Sequence, residues 1–242
     1  MELTILGCDG SYAGPGGSCT GYLLRTDTTS VWLDAGPGTL GAVQEHVALT
    51  DLDAIVVTHE HPDHCLELPV VRNALKYVLD VEGMRVITTA GVRQLVDHIS
   101  DGAEPTFSWE VVSDGGRATV GDIELAFVRT DHPVETLAVR ASHGGRALGY
   151  TADTGSKFSF AAFGSDPLHL ALCEATLAPE RQGTFEHLTG AEAGVLAREA
   201  GAEHLLLTHL TPGSDEARRR AEAATTYDGP VSTARPGDTY EV

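Results

Sequence analysis

Four metal-ligand side chains fall within six residues in His59-Glu60-His61-Pro62-Asp63-His64. Imidazole and carboxylate together suit borderline divalent ions such as zinc or manganese. On one extended strand His59, His61 and Asp63 would share a face and His64 would point away. A turn through Pro62 can bring all four to one cavity and divide them between two metals. Three more residues of ligand type lie far along the chain: His132 in Thr130-Asp131-His132-Pro133, Asp153 in Tyr150-Thr151-Ala152-Asp153, and His209 in Leu207-Thr208-His209. With the short motif they make five imidazoles and two carboxylates. Two tetrahedral or five-coordinate ions that share a bridging carboxylate and a hydroxide need about that many ligands. The expected cofactor is therefore a pair of divalent ions, with zinc ahead of manganese.

The elements that must position these residues are short. Asp53 to Thr58 is an apolar, β-branched run that reads as a buried strand leading into the motif. Cys65 to Asp80 carries apolar residues at helical spacing after it. The ligands thus sit on a loop between a strand's end and a helix's start, where a rigid scaffold fixes converging side chains. His132, Asp153 and His209 likewise follow strand-like runs, at the ends where sheet proteins place their sites. Leu3 to Leu6 reads as a first strand, and Gly21 to Arg25 with Ser30 to Asp34 as a hairpin. Leu137 to Ser142 and Ala147 to Thr151 form another hairpin around His143-Gly144-Gly145-Arg146. Helices are expected at Thr39 to His46, Gly91 to Ser100, Ser156 to Phe163, Thr189 to Ala200 and Ser214 to Thr225. Thr189 with Glu192 three residues on predicts a capping box, and Ser214 reads as a second cap. Val231 to Glu241 closes the chain in extended structure. Both halves run strands first, then strands alternating with helices, without a linker between them. That order predicts one domain over residues 1–242, two αβ halves packed sheet to sheet with helices outside.

Composition narrows the partners. The 242 residues carry a formal charge of −19, which argues against backbone-driven nucleic-acid binding and against an anionic membrane surface. The four cysteines show no CxxC spacing and read as reduced cytosolic thiols. Glu2-Leu3-Thr4-Ile5-Leu6 is a strand, not a signal peptide, and no apolar run approaches a membrane span. A cytoplasmic protein is expected. The Gly10 to Gly17 loop lacks the GxGxxG pattern of a nucleotide cradle.

His59-x-His61-x-Asp63-His64, followed in order by His132, Asp153 and His209, resembles the metallo-β-lactamase superfamily along nearly the whole chain. Asp34-x-Gly36 resembles the family's early structural aspartate, which supports the histidine loop from behind. The resemblance implies a four-layer αβ/βα sandwich. It implies that His59, His61 and His132 hold one metal, Asp63, His64 and His209 the other, with Asp153 bridging. Asp63 and Asp153 are typical of the two-metal hydrolases of phosphodiester and ester bonds, whereas the zinc β-lactamases put a cysteine at the bridging position.

Glu186-His187-Leu188-Thr189 and Glu174-Ala175-Thr176 resemble the ribonuclease Z-like branch, where the histidine contacts the scissile phosphate. His187 and Asp63 are then the candidate catalytic residues, His187 as proton donor or charge stabiliser and Asp63 as proton acceptor from the attacking water. Ribonuclease Z enzymes usually carry a long RNA-gripping arm between the positions of His132 and Asp153. Here that interval has room only for a strand, a turn and a strand. The compact members of the branch are similar to cyclic-nucleotide phosphodiesterases, so the expected substrate is a small phosphodiester of the cyclic AMP type. Pro62 stands where a small residue is common, and Glu67, where the branch often has glycine, is expected to narrow the pocket. The alternatives are a tRNA 3′-processing nuclease, a thioester or lactone hydrolase on the same fold, and a metal-binding scaffold without catalysis. A homodimer is compatible with the sequence.

Overall fold

Short apolar runs separated by glycine-rich turns pair into two seven-stranded sheets. In the computed structural model, which describes residues 1–242, the strands are β1 (Glu2–Gly7), β2 (Gly21–Arg25), β3 (Ser30–Leu33), β4 (Ala54–Val57), β5 (Met84–Thr88), β6 (Phe107–Val111), β7 (Arg117–Val120), β8 (Ile123–Arg129), β9 (Leu137–His143), β10 (Arg146–Tyr150), β11 (Leu170–Glu174), β12 (His204–Thr208), β13 (Val231–Thr233) and β14 (Thr239–Glu241). The first sheet has the order β14-β1-β2-β3-β4-β5-β6, and the second β13-β12-β11-β10-β9-β8-β7. Strands β3 to β6 run parallel, as do β10 to β13. Parallel strands are covered on both faces, which explains why Ala54-Ile55-Val56-Val57 is apolar without alternation and fully buried.

The helices are α1 (Thr39–Val43), α2 (Pro62–Cys65), α3 (Leu68–Ala74), α4 (Ala90–Ser100), α5 (Gly190–Glu199) and α6 (Glu216–Ala223). Three apolar clusters define the layers. Leu3, Leu33, Val56 and Ile87 of the first sheet meet Phe127, Val139, Leu172 and Leu206 of the second in one cluster of 25 residues. Val43, Val71, Val92 and Val96 of α1, α3 and α4 cover the outer face of the first sheet. Ala193, Leu196, Ala197 and Ala223 of α5 and α6 cover the outer face of the second. Each large aliphatic buried this way contributes about 1.5–3 kcal/mol. The result is the expected four-layer αβ/βα sandwich.

Several local expectations are corrected. The helix read as Cys65 to Asp80 begins at Pro62, breaks around Leu66-Glu67 before Pro69, and ends in a π-turn over Leu75–Leu79. Proline at the first turn of each segment explains both starts. Ser156 to Phe163 is not a helix. Only Phe160–Phe163 forms a 3-10 turn, while Phe158 and Phe160 cover the outer face of the second sheet. Thr189 makes the predicted capping box with Glu192, but Asp215 rather than Ser214 caps α6, accepting from the Arg218 N–H. The β9–β10 turn is two residues, Gly144 and Gly145, both at positive φ. The last extended stretch divides, β13 joining the second sheet and β14 the first.

Candidate metal centre

All seven ligand-type residues meet at one end of the sandwich, beyond the C-terminal ends of β4, β8, β10 and β12. His59, His61, His132 and Asp153 form one group with ligand atoms within 4.8 Å of one another, and Asp63, His64 and His209 form a second. His61 Nδ1 is 3.1 Å from His59 Nε2 and 3.2 Å from His132 Nε2. His64 Nε2 is 3.2 Å from His209 Nε2, which is 3.1 Å from Asp63 Oδ2. Asp153 lies between the groups. Its Oδ2 is 3.5 Å from His59 Nε2, and its Oδ1 is 3.2 Å from His64 Nε2 and 3.3 Å from His209 Nε2.

The far nitrogens of the rings fix what the near ones can do. The His132 Nδ1–H donates to the Glu186 carbonyl, because a carbonyl only accepts. His64 Nδ1 is 2.8 Å from the buried Asp34 carboxylate and donates to it. The Thr58 hydroxyl donates to Asp34, so His59 Nδ1 donates to that hydroxyl. The Thr176 hydroxyl lies 2.7 Å from Glu174 Oε2 and donates there, so His209 Nδ1 donates to it. In these neutral tautomers four Nε2 lone pairs point at one another and at two carboxylates. The buried Asp153 Oδ1 has no hydrogen-bond partner. A set of acceptors without donors is satisfied by cations, and the partners behind each imidazole are those that orient metal ligands. The residues present fit two divalent ions.

Without ions, protons fill the same role. Burial depresses His64, yet the Asp153 and Asp34 charges outweigh it and hold the ring well above its ordinary value. Burial pushes Asp63 up, but the His209 hydrogen bond and the His64 charge hold it well below the carboxylate range. His59, deeply buried and beside His64, is lowered to about 4.

Asp34 anchors the motif. It accepts from the Thr58 N–H at 2.8 Å and from the Tyr150 hydroxyl at 2.9 Å besides His64. Two residues on, Gly36 lies under the motif's backbone, where an added Cβ would stand 2.0 Å from the Asp63 carbonyl oxygen. His187 borders both groups. Its ring stacks on His209 with centroids 5.6 Å apart, and a ring nitrogen lies within 4.8 Å of the ligand atoms of Asp153 and His209. His187 Nδ1 is 2.7 Å from Glu174 Oε1. Burial lowers His187, but the Glu174 charge wins and raises it to about 9.

The Gly10 to Gly17 loop has a role the sequence did not reveal. The Ser11 N–H donates to Asp63 Oδ2 at 2.7 Å, and a Cβ on Gly10 would stand 2.5 Å from the His209 carbonyl oxygen. A backbone donor carries no signature in residue type. The Glu67 carboxylate accepts from the Gly38 N–H at 2.6 Å at the start of α1. Between His132 and Asp153 the chain builds β9, the two-glycine turn and β10, with no arm. A surface cleft of about 900 Å³ at the other end of the sheets, lined by Met1, Arg25, His143 and Val242, is remote from the metal-donor groups.

Residues 29–210 match the family described as Beta-lactamase superfamily domain. A Mycobacterium leprae protein of uncharacterized function, ML1173, is 33% identical across the whole of this chain and 89% of its own length. The probable metallo-hydrolase YhfI of Bacillus subtilis is 29% identical over the full length of both chains. Its crystal structure superimposes with a TM-score of 0.91, covering 100% of this chain and 99% of that one at 27% identity. A ribonuclease Z of Methanopyrus kandleri is 26% identical over 98% of this chain and 96% of its own.

Proposed function

The chain belongs to the metallo-β-lactamase superfamily and is a metallo-hydrolase, and on that footing we propose that it hydrolyses a small phosphodiester, a cyclic nucleotide of the cyclic AMP type. One observation carries the reading: Asp153 stands between two groups of ligands whose lone pairs converge. His59, His61 and His132 would hold one ion and Asp63, His64 and His209 the other, with Asp153 across both. Zinc suits this imidazole and carboxylate set best, with manganese second.

When bound, the ions supply Lewis-acid charge to the phosphoryl oxygens and acidify water. The remaining work falls to the chain's own groups. The Ser11 N–H holds Asp63 Oδ2 in place, where the carboxylate can take a proton from the attacking water. Buried Glu174 keeps His187 cationic, so the imidazolium can protonate the leaving oxygen. In a 3′,5′-cyclic diester the water oxygen bonds to phosphorus as the bond to one ester oxygen, 3′ or 5′, breaks. That oxygen takes the proton, and a 5′- or 3′-monophosphate results.

A small substrate is supported by two features. The His132 to Asp153 interval is one tight hairpin, and the formal charge of −19 would repel a polyanion. The four cysteines are all free, which suits the cytoplasm, and no helix is long and apolar enough to cross a membrane. The test is kcat/KM for cyclic AMP, precursor tRNA and a thioester on one zinc-loaded preparation. Turnover of cyclic AMP with little of the other two is expected. Site-specific release of a tRNA 3′ trailer with cyclic AMP untouched would replace this reading with the nuclease.

A further inference from the structure

Three aromatic side chains stand largely exposed: Tyr12, Tyr77 and Phe185. Tyr77 is engaged on α3's flank, its hydroxyl accepting from Arg72 at 3.3 Å. The other two adjoin, along the chain, residues that contact the metal centre. Tyr12, 58% exposed, follows Ser11, whose N–H holds Asp63. Phe185, 56% exposed, precedes Glu186, whose carbonyl holds His132, and stands two residues before His187. Consecutive Cα atoms are about 3.8 Å apart, so each aromatic is tied within one or two such steps to a residue of the centre.

These two attachments lie on the accessible side of the site. His59 and His64 are sealed, while Asp63 keeps 10% and His187 17% of its side chain open. The centre is therefore open along His61, Asp63 and His187, of which Asp63 and His187 adjoin the segments that carry Tyr12 and Phe185. Phe185 is also backed. The Arg181 guanidinium lies over its ring at 5.2 Å, while Arg218 pairs with Glu180 and Glu222 nearby. Arg181 enters no ion pair of its own, so its charge faces the Phe185 ring and solvent. A guanidinium on the back of a ring holds it as a platform and leaves charge for an anion.

We infer that Tyr12 and the Arg181-backed Phe185 form a nucleobase-binding rim around the entrance to the metal centre, a claim that rests on the proposed phosphodiesterase reading and adds to it. Aromatic faces stack any base, so the rim favours nucleotides over sugar phosphates without strict choice among bases.

The experiment is titration calorimetry of the zinc-loaded protein with AMP and with ribose 5-phosphate, beside hydrolysis of cyclic AMP. Wild type should bind AMP on the order of tenfold more tightly than ribose 5-phosphate. Phe185→Ala and Tyr12→Ala should each bring that ratio toward one, and Phe185→Trp should preserve it. Equal affinity for the two ligands in wild type overturns the rim, as does a ratio that survives both alanine variants. Hydrolysis of cyclic AMP with no AMP preference removes the rim and leaves the reaction. An AMP preference lost in the alanine variants, in a protein that leaves cyclic AMP intact, supports the rim and removes the reaction.

Discussion

His187 Nδ1 and Glu174 Oε1 are 2.7 Å apart, and Glu174 is fully buried at the end of β11. The carboxylate also accepts from the Thr154, Thr176 and Leu188 N–H groups. So many donors fix the carboxylate in place, and the carboxylate in turn fixes the His187 ring.

His187→Ala removes a proton donor that the proposal does not count among the metal ligands. The variant should retain its ions by elemental analysis while kcat falls on the order of 10²–10⁴-fold. Full kcat in this variant would show that His187 does no more than pack against His209.

Glu174→Gln separates the charge from the shape. His187 is raised to about 9 from an ordinary value of 6.5, so the protonated ring persists below about 9 and is lost as pH rises through that value. With the neutral amide, the alkaline limb of kcat should move toward lower pH. A pH–rate series on both proteins reads this directly, and an unmoved limb would mean that another group sets it.

Gly36→Ala tests the support beneath the motif. The new Cβ would stand 2.0 Å from the Asp63 carbonyl oxygen, and that backbone has to shift. Overpacking of this kind costs roughly 1–3 kcal/mol, about 2–4 °C in Tm for each kcal/mol in a chain of this size. Calorimetric melting should show the drop, with a matching loss of metal affinity. A wild-type Tm would mean that the loop yields freely.

The layered fold was readable because periodicity and strand-end placement reflect burial. Ala54 to Val57 had to be a covered strand, and Thr189 with Glu192 had to start a helix. The residues the structure gathers, from His59 to His209, announced themselves by type. What stayed hidden depends on partners distant in sequence or on backbone atoms. The Ser11 N–H reaches Asp63 from 52 residues away, and Tyr150 reaches Asp34 from 116. Ser156 to Phe163 is no helix because Phe158 and Phe160, two residues apart, both pack on the sheet's outer face, a spacing that one helix face does not allow. Ser214 and Asp215 are both good caps, and only the geometry of the preceding turn, where the Ser214 N–H bonds the Thr211 carbonyl, selects between them.

A pair of ions bridged by Asp153 is tested most directly by metal content. Protein purified without chelator should carry close to two ions per chain, zinc foremost, by elemental analysis. Asp153→Ala should lose both metal and activity, since its Oδ1 and Oδ2 face different groups of histidines. A stoichiometry near one in wild type, or two ions retained by Asp153→Ala, would contradict the bridged centre.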